Sequence, residues 1–150
     1  MSEFLRARRF VARALVDTGA VVALVNRSDR YHQTSVDWFR GFRGTLLTTE
    51  AVVTESAYVL AASPDHQRAA LVWFERARAA GVLAVEPAGD YAVLAAIIAR
   101  YANLPCDYAD ATLIALAERT GVASIATIDQ RDFSIYRIHG RKRFRVLLGV

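Results

Sequence analysis

Between Asp107 and Asp132 the chain reads DYADATLIALAERTGVASIATIDQRD, a stretch with the pattern of one helix running directly into one strand. A helix over Asp107–Thr120 rises roughly 21 Å, and a strand over Ala123–Ile128 extends about 20 Å. A helix that packs back on a sheet runs antiparallel to the strand it feeds, so its first turn lies level with the last residue of that strand. Asp107 and Asp110 are therefore expected beside Asp129.

The rest of the chain repeats this alternation. After a basic start containing Arg6, Arg8 and Arg9, Ala14–Val16 reads as a buried strand ending in Asp17, Thr18 and Gly19. AVVALVN then suits a short helix, and NRSDRYH a polar loop. A helix is expected over Gln33–Phe42, a strand over Gly44–Thr49, and a helix over Glu50–Ala62 with Thr49 as its N-cap. Ser63 and Pro64 break that helix, another covers Asp65–Ala80 up to Gly81, and Val82–Val85 is a third strand. Tyr91–Ala102 is helical. Beyond Asp132, Ser134–Ile138 suits a short strand and Phe144–Leu148 the last one. The pattern predicts an α/β fold of three layers, α/β/α, with a central, mainly parallel sheet of about five strands. A chain of 150 residues suits one domain over 1–150.

Composition narrows the class. With 54% apolar residues the chain is expected to pack a core rather than stay disordered. The single cysteine, Cys106, excludes an internal disulfide and fits a reducing compartment; its plain reading is a small buried filler. Arg13 and Asp17 interrupt the best candidate for a membrane span, and Asp17 argues against a signal peptide, so a cytoplasmic protein without a membrane partner is expected. The formal charge is +4, and Lys142 is the sole lysine among 19 basic residues. Arginine suits bidentate contact with phosphate, although a GC-rich genome produces the same bias.

In sheets of this kind functional groups gather at the carboxyl ends of the strands. Asp17 and Asp129 each directly follow a strand, and Glu55 lies about 7 to 8 Å from the start of its helix. Glu55 sits among Ala51, Val52, Tyr58 and Val59, and Asp110 among Leu113, Ile114 and Ala117, where an unpaired carboxylate is unfavourable. Each acid also has a local reading. Asp17 and Asp129 suit helix caps, Asp107 an N-cap with Asp110 at N3, and Asp132 a cap or a partner of Arg131. Glu50 and Glu118 suit a dipole partner and a solvated face. Local readings leave the convergence unexplained: two carboxylates ~4 Å apart repel by about 4 kcal/mol at an effective dielectric of 20. Such a cluster takes up protons, pairs with arginines or holds a cation. All-oxygen ligands favour magnesium or manganese, whereas His32, His66 and His139 are scattered and no His and Cys spacing suits zinc. A metal held by acids beside basic side chains points to phosphoryl chemistry.

Four segments, LVDTGA (Leu15–Ala20), TESAYVL (Thr54–Leu60), DYADATLIALAE (Asp107–Glu118) and TIDQRDF (Thr127–Phe133), together resemble the PIN-domain nucleases, most closely the VapC-type toxin ribonucleases of toxin-antitoxin pairs. The resemblance implies a PIN fold and a magnesium- or manganese-dependent endoribonuclease, using one or two ions, in which Asp17, Glu55, Asp110 and Asp129 are both the catalytic and the metal-holding acids. It gives Thr127 an orienting role, places the Thr18 hydroxyl near the metal, and adds Asp107 and Asp132 around the four acids. It further implies an RNA substrate, an antitoxin protein on a separate chain, and a homodimer formed through helical faces. Trp38, Phe39 and Trp73 are candidate dimer contacts, with burial in the monomer as the alternative. Arg27, Arg30, Arg131, Arg137, Arg141, Lys142 and Arg143 are candidates for gripping the RNA backbone, against the plain reading of solvated charges. Two other functions fit: a PIN domain in RNA processing without a toxin role, and a receiver-like domain that accepts a phosphoryl group on Asp17. The receiver would need a lysine at the end of the last strand, and Lys142 precedes it.

Overall fold

The structure, a computed structural model, describes residues 12–148. Arg6, Arg8 and Arg9 lie outside the described residues. In chain order the elements are β1 (Ala12–Val16), α1 (Thr18–Val25), α2 (His32–Gly41), β2 (Gly44–Thr49), α3 (Glu50–Val59), α4 (Pro64–Ala79), β3 (Leu83–Glu86), α5 (Tyr91–Arg100), α6 (Tyr108–Thr120), β4 (Ser124–Ala126), α7 (Gln130–Ile135), β5 (Arg137–Ile138), β6 (Lys142–Arg143) and β7 (Arg145–Val146). Five strands form one parallel sheet in the order β3-β2-β1-β4-β7, and β5 with β6 makes a separate antiparallel hairpin.

Side-chain alternation along the central strands divides the core in two. Leu15, Leu47 and Ile125 face one side, where Leu94 and Ile97 of α5 and Leu113 and Ile114 of α6 cover them. Ala14, Val16, Leu46 and Ala126 face the other, under Val21 of α1, Trp38 and Phe39 of α2, and Phe74 and Ala77 of α4. With both faces covered, the central strand carries a continuous apolar run, as parallel sheets do. The result is the expected three-layer α/β/α architecture. Trp38, Phe39 and Trp73 pack within the chain: Trp38 stacks on Phe42 at 4.8 Å, and Phe39 meets Trp73 edge-on at 5.6 Å.

Several boundaries differ from the sequence expectation, each for a local reason. The helix expected over Glu50–Ala62 ends at Val59, because Ser63 accepts a hydrogen bond from the His66 amide and starts α4 with Pro64 in its first turn. The helix expected over Tyr91–Ala102 ends at Arg100. β4 spans Ser124–Ala126 instead of Ala123–Ile128, since the Thr127 hydroxyl takes the Asp129 amide at 2.9 Å and turns the backbone out of the ladder. Of Phe144–Leu148 only Arg145–Val146 is strand. The largest correction falls on Ser134–Ile138: residues 130–135 form α7, and only Arg137–Ile138 is strand. Asp129 caps α7 by accepting from the Asp132 amide at 3.1 Å, and Phe133 anchors the helix with no exposure at all.

Candidate active site

The parallel register decides which side chains share an edge. Leu15 pairs with Ile125 and Val16 with Ala126, so Asp17 and Thr127, one residue further on, stand side by side at the carboxyl edge of the sheet. The Thr127 hydroxyl donates to Asp17 Oδ2 at 2.9 Å, and the Thr18 amide donates to Asp17 Oδ1 at 2.7 Å. Asp17 is thus both the cap of α1 and a carboxylate sealed into the core, with 6% exposure. Gly19 lets α1 approach closely: a β-carbon there would come within 2.7 Å of Ile128 Cγ1, next to Asp129.

The first turn of α6 brings the next acids. Asp107 caps the helix by accepting from the Asp110 amide at 2.8 Å, and Asp110 itself is 8% exposed. Thr49, the cap of α3, meets Thr112 of α6 through their hydroxyls at 2.8 Å. Because the Thr112 hydroxyl donates to Ala109 O, Thr49 must donate to Thr112, and it accepts in turn from the Val52 amide. This chain ties the start of α3, and with it Glu55, to the start of α6.

The electrostatics report a shared site. Burial pushes the Asp17 carboxyl up from 3.8 to about 7, against the pull of the Thr127 and Thr18 donors and with further push from Glu55 and Asp129. Burial, then the charges of Asp17 and Asp107, push Asp110 up to about 8, while the bond from Tyr136 works the other way. Glu55 is also raised, by burial and then by Asp107. Asp132 is raised by burial and by its contact with Asp129. Asp17 thus feels the charges of Glu55 and Asp129, and Asp110 those of Asp17, Asp107 and Glu55, which puts these acids in one neighbourhood. They do not close onto one point: among the described residues no three His, Cys, Asp or Glu side chains form a finished ligand set.

The donor chemistry fits a hard divalent cation. The neighbouring groups are oxygen donors that repel one another in the ionised state, and the buried Thr18 hydroxyl lies against Glu55, whose carboxyl it pulls down. That hydroxyl is the oxygen that the family resemblance sets near a metal.

The basic candidates separate. Arg131 lies exposed in α7, two residues from Asp129. Arg137 is occupied, donating through Nη1 to the carbonyls of Ser134, Ile135 and Tyr136. Arg141 and Lys142 flank Glu118 and Gly121 at the far end of α6 from Asp110, and Arg143 lies in the same hairpin. Arg27 and Arg30 follow the C-terminal end of α1, whereas Asp17 caps its start. Lys142, placed in the hairpin outside the main sheet, is in no position to serve a phosphoryl acceptor at Asp17.

The sequence reading missed Tyr136, whose hydroxyl donates to Asp110 Oδ2 at 2.8 Å. No spacing rule links residues 26 positions apart, and only its place in an apolar cluster could have drawn notice. It also missed the Thr49–Thr112 bond.

The chain is 29% identical over 133 residues to Ribonuclease VapC26 of Mycobacterium tuberculosis, an alignment covering 89% of this chain and 98% of that protein. Its fold superposes on the crystal structure of VapC20 of Mycobacterium tuberculosis, a toxin that cleaves the sarcin-ricin loop, with a TM-score of 0.69 and 22% identity, covering 84% of this chain and 97% of the other. Residues 14–138 match the family model described as PIN domain, well over half of the sequence, and the chain belongs to the PIN domain family.

Proposed function

We propose that the protein is a divalent-cation-dependent endoribonuclease and the toxin of a toxin-antitoxin pair. The observation that carries this reading is the gathering of Asp17, Glu55, Asp110 and Asp129 from four distant segments, with Asp17 and Asp110 buried and pushed far above the ordinary carboxylate range. Asp17 and Asp110, buried at such a cost with no cationic side chain of the described residues offsetting their charge, suit a site whose counter-charge arrives with its ligand. The relative's designation as a ribonuclease and the neighbour's as an RNA-loop-cleaving toxin support the same reading.

Asp17, Asp110, Glu55 and Asp129 would hold Mg2+ or Mn2+, with Thr18 Oγ1 next to them. When bound, such an ion neutralises phosphate charge and acidifies a coordinated water molecule, the two needs of phosphodiester hydrolysis. The chain's own residues do the positioning. Thr127 and the Thr18 amide fix both oxygens of Asp17, the Asp107 cap sets the backbone of Asp110, and Thr49 with Thr112 locks the helix carrying Glu55. Arg131, exposed beside Asp129, is the cation best placed to meet the scissile phosphate.

An antitoxin protein is the expected partner. An open groove of about 660 Å³, floored by Phe39, Val72 and Trp73 and rimmed by Arg27, Arg68 and Arg76, offers an apolar surface with positive edges for it. The test of the catalytic reading is cleavage of structured RNA with added Mg2+ or Mn2+, by wild type and by Asp17→Asn. Metal-dependent cleavage by wild type alone is the expected result, and equal rates in the two proteins would refute it. For the toxin role, growth arrest on expression, relieved by a co-expressed neighbouring open reading frame, is the corresponding outcome.

A further inference from the structure

Two carboxylates of the site are buried, and each has one oxygen engaged by a hydroxyl from another part of the chain. For Asp17 that donor is Thr127, one residue beyond β4. For Asp110 it is Tyr136, in the connection between α7 and β5, at 2.8 Å to Oδ2. The Tyr136 side chain is completely buried. Its ring is fixed edge-on against Tyr101 at 4.9 Å and Phe133 at 5.1 Å, and Phe133 in turn meets Phe144 at 5.4 Å. The backbone is pinned as well, since the Arg137 amide donates to Tyr101 Oη at 2.7 Å. A phenol so constrained cannot follow its acceptor; the acceptor must come to it.

We infer that Tyr136 is a positioning residue for Asp110: its hydroxyl occupies Oδ2 and fixes the rotation of the carboxylate, leaving Oδ1 to face the cation and substrate. The inference rests on the nuclease reading above and adds to it a residue outside the four acids. A purely structural role would not require this bond. A buried phenol needs only one acceptor, and Pro105 O lies at 3.3 Å, yet the hydroxyl sits closer to the carboxylate. The geometry is that of an outer partner orienting a metal ligand, and loss of such partners typically costs ~10- to 100-fold in metal affinity or activity.

Tyr136→Phe keeps the ring packing and deletes only the donor. Mn2+ affinity of the protein alone, measured by titration calorimetry, should fall by about tenfold or more, and kcat for RNA cleavage should fall with it while KM for RNA stays within about twofold. Thr120→Val is the control. It removes a hydroxyl at the far end of α6 from Asp110, one that donates only to Leu116 O, so it should leave Mn2+ affinity alone. Unchanged affinity and kcat in Tyr136→Phe, or equal losses in both variants, would overturn the inference and leave Tyr136 a packing residue. Wild type carries a second readout that does not depend on the variant folding. Adding Mg2+ should shift the near-ultraviolet tyrosine band, because the cation draws charge from the carboxylate to which the phenol donates; no shift counts against the inference. If wild type neither binds Mn2+ nor cleaves RNA, the nuclease reading itself fails; if it does both and Tyr136→Phe matches it, only the positioning role does.

Discussion

Asp110→Asn should produce a protein that is more stable and inactive. Asp110 carries a carboxyl at about 8 in the fold against an ordinary value of 3.8, so the unfolded chain releases this proton first. Below the ordinary value both states are protonated and the native state bears no penalty. As pH rises the unfolded state ionises while the folded one holds its proton, and stability falls until about pH 8, where the full cost is reached. At about 1.4 kcal/mol per pH unit, the ceiling is about 6 kcal/mol. Water reaching the cleft through the exposed Asp107 reduces the realised cost to about 1–3 kcal/mol. Asparagine is nearly the same shape, can accept from Tyr136 and carries no charge, so the variant escapes the penalty. For a chain of this length the gain corresponds to roughly 3–10 °C in Tm. The assay is thermal unfolding after chelator treatment, at pH 8 and pH 5. The gain should be present at pH 8 and reduced to about a quarter at pH 5, where little of the titration has occurred. A lower Tm at pH 8, or a pH-independent gain, would refute the idea that charge at this position opposes folding.

Other outcomes follow from the same geometry. Mg2+ should raise the Tm of the wild type more at pH 8 than at pH 5.5, because the cation competes with protons for Asp17 and Asp110; a thermal-shift titration at both pH values checks this, and chelation should reverse it. Arg131→Ala should raise KM for RNA and flatten its salt dependence, whereas Arg141→Ala, placed at the far end of α6, should change neither by more than about twofold. Gly121 ends α6 at φ 75°, a left-handed position, so Gly121→Ala should cost about 1 kcal/mol in denaturant unfolding without altering the cleavage rate.

Local chemistry explains what could be read before the fold was seen. β2 and the Thr49 cap fall where propensity and capping put them, because Gly44 and Thr49 punctuate an apolar run. Asp107 as a cap was equally visible, since capping depends only on neighbours in sequence. Ile135, Tyr136 and Ile138 favour a strand over Ser134–Ile138, but the Asp129 cap that the sequence also offers starts a helix that runs on to Ile135. The length match that first suggested convergence was also inexact, as β4 is half the expected length. Asp17 and Thr127 still meet, because parallel register rather than strand length brings them side by side.

From sequence alone come the three-layer α/β order, the cap residues and the identity of the acids, because each is encoded in periodicity or in the side chain itself. Only the folded chain decided that Asp17 and Asp110 would be buried deeply enough to resist ionisation, that Tyr136 would meet a residue 26 positions away, and that Arg137 would be consumed by backbone carbonyls while Arg131 stayed exposed. Burial and long-range pairing depend on how distant segments pack, and no local spacing carries that information.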